Sequence, residues 1–85
     1  MKRAEVTYSQ LDKVLRALGF TSHVVMKDGE ARRYEHAQSG ALILLPAYPE
    51  ADKVLEIHLH LVSVTLENFG IADPTTFDKK LQKAG

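Results

Sequence analysis

The side chains able to do acid–base or phosphate chemistry gather in three short runs: Ser22-His23, Lys27 to His36, and His58-Leu-His60. His36 is a candidate general acid or base, because an imidazole exchanges its proton near neutral pH. A plainer role for it is a strand-end histidine bonded to its neighbours. Arg32 and Arg33 are adjacent. On a strand they point to opposite faces, so one of them can lie with Lys27 on an open face, within reach of phosphates. The plainer alternative is a solvated strand whose arginines pair with Glu30 and Glu35. Ser22 and His23 also alternate across a strand, which prevents the mutual hydrogen bond a nucleophile and its base require. His58 and His60 would share one side of a strand and could hold a metal there. On a helix they lie about 200° apart and cannot. The helix is the reading taken below, so no metal site is expected. The chain shows no Ser-His-Asp set, no glycine-rich phosphate loop and no paired-carboxylate site, and no cofactor is expected.

Composition narrows the function classes. The 85 residues include 11 basic and 11 acidic side chains, for zero net charge. That argues against a strong non-specific nucleic-acid binder and leaves room for a local basic patch. With no cysteine, disulfides, thiolate catalysis and thiolate zinc sites are excluded. No apolar run approaches the roughly 18 residues of a membrane span. The start Met-Lys-Arg-Ala-Glu is basic but leads into no apolar signal core, so a cytoplasmic protein is expected. A chain of this length buries only roughly 60–65% of its unfolded surface, and docking on a partner or a second copy would stabilise it.

The elements that position these residues follow from periodicity. Thr7 or Ser9 can cap a helix running to about Leu18, with Leu11, Val14, Leu15 and Leu18 on one apolar face and Gln10, Asp12, Lys13 and Arg16 toward water. Gly19 is its expected stop. Strands follow over 22–27 and 30–36, joined at Asp28-Gly29, whose residue types tolerate the positive φ angles of a two-residue hairpin turn. A break at Gln38-Ser39-Gly40 leads into a third strand, 41–45. This strand, Ala-Leu-Ile-Leu-Leu, is apolar on both faces yet falls at a sheet edge, so a helix, a partner chain or a second copy must cover it. Residues 55–61 alternate like a strand. The longer pattern Leu55, Leu59, Val62, Leu66, Phe69, with Gly70 as a stop, predicts instead a helix over 56–69 preceded by extended 53–55. Asp73-Pro74 is an N-cap followed by proline at the first helical position, opening a short helix in which Phe77 and Leu81 pack inward.

The resulting class is α+β, a two-layer sandwich in the order α-β-β-β-α, with a three-stranded antiparallel sheet and an extra short C-terminal helix. It is one domain, 1–85, with its core over 7–71 and the final helix over 73–84. The order matches the double-stranded-RNA-binding-domain architecture.

Several pieces in series resemble the HicA family of small toxins from bacterial toxin–antitoxin systems. They are Leu15-Arg-Ala-Leu-Gly-Phe20 closing the first helix, Gly29-x4-Tyr34-x-His36, Ser39-Gly40 before an apolar strand ending in Pro46, and Leu66-x3-Gly70-Ile71 closing a helix. The resemblance covers about Tyr8 to Ile71. It implies a double-stranded-RNA-binding-like fold, ribonuclease activity on mRNA, and silencing by a HicB antitoxin. The family pattern is Gly-Ser-His-His-x-aromatic-x-His, with the histidine just after Gly-Ser catalytic. Here Glu30 stands at the serine, and Ala31 and Arg32 at the two histidines. Only His36 remains, and an arginine does not act as a general base at neutral pH.

Two functions are therefore expected as alternatives. One is a HicA-like RNA-binding domain with ribonuclease activity weak or lost, using His36 for proton transfer and Lys27, Arg32, Arg33 and Tyr34 on RNA. The other is a non-catalytic interaction module that binds another protein or a second copy through strand 41–45; a HicB-like antitoxin is the partner the resemblance implies.

Overall fold

A computed structural model describes residues 6–25, 31–46, 48, 49 and 51–83. Three helices and one sheet follow in the order α1 (Tyr8–Ala17), β1 (Phe20–Val25), β2 (Ala31–His36), β3 (Ala41–Pro46), α2 (Glu56–Asn68) and α3 (Pro74–Lys83). This is the expected α+β class. The Asp28-Gly29 turn, Glu30 and Lys27 lie outside the described residues.

Thr7, rather than Ser9, starts α1. Its hydroxyl accepts from the Gln10 backbone N–H, and the Gln10 side chain accepts from the Thr7 N–H at 2.8 Å, a reciprocal capping box. Tyr8, Leu11, Val14 and Leu15 form the buried face. Gly19 follows the last turn at φ 102°, a conformation costly for residues with a Cβ. The chain then enters β1 at once, two residues earlier than expected, because Phe20 already pairs with His36.

The sheet runs β1-β2-β3, with both pairings antiparallel. The register sorts its two faces. Phe20–His36–Ala41, Ser22–Tyr34–Ile43 and Val24–Arg32–Leu45 form rows on the face toward the helices. Thr21–Glu35–Leu42, His23–Arg33–Leu44 and Val25–Ala31–Pro46 form rows on the outer face.

Residues 55–61 do not form a fourth strand. The segment before them makes only one bridge to the start of α1. The Val54 N–H donates to the Val6 carbonyl at 2.7 Å and the Tyr8 N–H to the Asp52 carbonyl at 3.0 Å. From Glu56 the chain is helical, and Leu59, Val62 and Leu66 point into the core. At its end the Gly70 N–H returns to the Glu67 carbonyl and the Ile71 N–H to the Leu66 carbonyl, with Gly70 at φ 69°. That hydrogen-bond pair is a Schellman motif, the physical form of the glycine stop.

Asp73 caps α3, accepting from the Thr76 N–H at 2.7 Å. This bond holds its carboxyl below the usual aspartate range. α3 lies against both α1 and α2. Its Phe77 and Leu81 belong to the same buried cluster as Leu11, Leu15, Ile43 and Leu66, so the final helix is part of the core. Phe77 is wholly buried. Phe77→Ala is expected to cost about 3–5 kcal/mol in chemical denaturation, a large share of the stability of so small a domain.

Candidate functional site

β2 carries the residues singled out for chemistry, and the fold divides them between its two faces. On the helix side, Tyr34 is only 2% exposed. A buried phenol requires a hydrogen-bond partner, and its hydroxyl donates to Asp12 Oδ1 at 2.8 Å. Asp12 is therefore not a simple water-facing residue. Its other oxygen accepts from Arg16 Nε at 2.8 Å, and Arg32 Nη1 stands 3.9 Å from Oδ1. Arg16 also donates to the Ser22 hydroxyl on β1. One carboxylate thus gathers α1 and β2, and the Arg16 it holds reaches on to β1. Burial, and secondarily the Asp12 hydrogen bond, push the Tyr34 phenol up to about 12.

His36 faces the same side and is 8% exposed. The Ser39 backbone N–H donates to its Nδ1 at 3.2 Å, and the Ser39 hydroxyl lies 2.8 Å from the same atom. With Nδ1 accepting, Nε2 carries the hydrogen, which it donates to the Leu18 carbonyl at 3.1 Å. The ring also packs on Phe20, with centroids 5.0 Å apart. Both nitrogens are thus used within the protein. The imidazole joins the end of α1 to the turn between β2 and β3. Gly19 fits beneath it for a second reason besides its φ angle, since a Cβ there would sit 3.2 Å from Nε2.

The outer face holds different groups. Arg33 lies there, ion-paired with Glu35 of its own strand at 2.6 Å. His23, exposed, is the cross-strand partner of Arg33. Only the β1–β2 register places these two side by side, ten positions apart in the sequence. Alternation through the hairpin is the signal that would have found the pair. Ala31, at the position where the family resemblance expects the catalytic histidine, is on this face too, between Val25 and Pro46. Arg32 and Arg33 do lie on opposite faces, and Arg33 is the one on the open face. Lys27, expected beside it, is outside the described residues.

Strand 41–45 has a divided fate. Ala41, Ile43 and Leu45 are buried, with α2 packed against the strand. Leu42 and Leu44 point outward, 46% and 54% exposed. Among the described residues β3 has β2 on one side and no strand on the other.

His58 and His60 sit on α2, as expected. His58 Nδ1 lies 3.0 Å from the Tyr8 hydroxyl, joining the starts of α1 and α2, while His60 is exposed. Among the described residues no group of three or more His, Cys, Asp or Glu side chains could hold a metal ion. No helix among them is long and apolar enough to cross a membrane.

Comparison with known proteins finds no family model, no curated protein and no solved structure that matches the chain.

Two outcomes test this geometry. His36→Ala strips partners from the Leu18 carbonyl and the Ser39 N–H and should cost about 2–4 kcal/mol in denaturation. Tyr34 gives a pH signature. Its folded-state value lies above that of an unfolded tyrosine, so its contribution is complete below pH 10 and is lost as pH rises toward about 12. The fall in unfolding midpoint across that window should be smaller in Tyr34→Phe.

Proposed function

We propose that the domain is a non-catalytic protein-interaction module of HicA-like architecture, acting in the cytoplasm. Its partner, a HicB-like antitoxin by the family resemblance, docks on the outer face of the sheet along β3. The observation that carries this reading is the exposure of Leu42 and Leu44 on an edge strand. Apolar side chains on an unpaired edge favour a covering chain. The Arg33–Glu35 pair and His23 beside them supply a polar rim of the kind that sets register and orientation in an interface. The internal bonds of His36, Tyr34 and Arg32 weigh against the ribonuclease reading, which asks those same groups to meet RNA.

RNA binding stays as a second reading on one observation, the adjacency of His23 and Arg33 on the open face. An imidazole beside a guanidinium is a competent phosphate contact.

The experiment that separates the readings has two arms. Purified protein is mixed with a labelled structured RNA at low salt, and it is co-expressed with the product of the adjacent reading frame. The expected result is no shift and no degradation of the RNA, with co-purification of the adjacent product that Leu44→Asp abolishes while far-UV circular dichroism is unchanged. A shift or cleavage of the RNA that Arg33→Ala removes overturns the proposal in favour of the second reading.

A further inference from the structure

α2 has apolar residues on two opposite faces, and only one of them is used by the fold. Leu59, Val62 and Leu66 are buried. At about 100° per residue, Ile57, Leu61, Val64 and Asn68 form a second stripe roughly 180° away. Ile57 is 71% exposed, Leu61 46% and Val64 37%, and Asn68 is exposed. Their spacing of four, three and four is the repeat by which one helix packs along another. A surface helix that buries one apolar stripe ordinarily carries polar residues on the opposite side, yet this one presents Ile57, Leu61 and Val64 there.

We infer that α2 pairs with α2 of a second copy, antiparallel about a two-fold axis passing between Leu61 and Val64. The choice of occupant comes from the stripe's own symmetry. A two-fold interface requires that if residue i meets j, then j meets i. With the axis at that point, Leu61 meets the other copy's Val64 twice, and Ile57 meets its Asn68 twice. One flank of the stripe carries His60 and Glu67, both exposed. They are placed nearly symmetrically about the same point, so each imidazole faces the other copy's carboxylate. The opposite flank has little to offer a partner. His58 Nδ1 is engaged by the Tyr8 hydroxyl, and the Thr65 hydroxyl donates to the Leu61 carbonyl at 2.8 Å. The ends match as well. α2 starts at Leu55 without a side-chain cap, and the antiparallel arrangement brings the other copy's Asn68 carboxamide to that first turn, where backbone N–H groups seek acceptors. A parallel pair would place His60 near Thr65 and each Asn68 against its own copy, losing both matches.

One helix per copy gives an interface at the small end of specific ones, below roughly 1,200 Å² in total, so association belongs in the micromolar range. This inference depends on α2 and not on the sheet face. The two surfaces point away from each other, and pairing through α2 leaves both sheets open.

Sedimentation equilibrium of the full chain over low to high micromolar concentration tests it. Wild type is expected to pass reversibly from monomer to dimer. Leu61→Glu, at an exposed position the fold does not need, should weaken the dimer by about tenfold or more by setting an unpaired charge in the stripe. His60→Glu should weaken it through facing carboxylates, and His60→Glu combined with Glu67→Lys should restore it. A wild-type chain that stays monomeric throughout overturns the inference. So does a dimer that survives Leu61→Glu, including one lost instead in Leu44→Asp, which would put the contact on the sheet. If dimerisation fails while Leu44 still governs binding of the adjacent product, the sheet-face function stands without it.

Discussion

The structure depends on how β2 solves a burial problem. It is the central strand, and its helix-facing residues are Arg32, Tyr34 and His36, none of them a simple hydrocarbon. Burying their polar atoms without partners would cost more than their packing returns. Each therefore finds a partner on α1 or in the next turn. Asp12 takes the Tyr34 hydroxyl, with Arg32 beside it, and the Leu18 carbonyl and Ser39 take the two nitrogens of His36. These contacts fix α1 over the sheet and shape the β2–β3 turn. They also make the chemistry of the strand internal: a histidine, a tyrosine and an arginine that suggest a reactive surface are spent on holding two layers together.

What remains for function lies outside those layers. The outer sheet face offers Leu42 and Leu44 with a His23–Arg33–Glu35 polar strip, and the outer side of α2 offers Ile57, Leu61 and Val64. Both are apolar surfaces on a domain too small to bury all its hydrocarbon against itself. One lies on the side of the sheet away from the helices, the other on the side of α2 away from its buried residues.

The fold was legible in the residues because its signals were redundant. Thr7 with Gln10, Gly19, Gly70 and Asp73-Pro74 mark helix ends by local hydrogen-bond chemistry that needs no tertiary information. For 55–61 two periods competed. The helix won because Leu59, Val62 and Leu66 could all reach the core and Gly70 could close a Schellman motif, whereas the alternation ran for only seven residues. The site was less legible. Alternation along β2 separates Arg32 from Arg33 but does not say which face the helices cover. That depends on α2 packing against β3, and on Tyr34 reaching across 22 residues to Asp12. Asp12 on a helix surface reads as a solvated acid, and only the buried phenol opposite reveals its role. The same missing information hid the His23–Arg33 pair and split strand 41–45 into a covered and an open face.

The polar atoms of β2 are committed inside the protein, those of His36 above all. Long-range ¹H–¹⁵N correlation of its imidazole, recorded with and without a structured RNA, tests it most directly. The structure predicts a single tautomer with hydrogen on Nε2 and an accepting Nδ1, and resonances that do not move when RNA is added. A ring that exchanges between tautomers, or whose nitrogens shift on titration with RNA, would contradict the account.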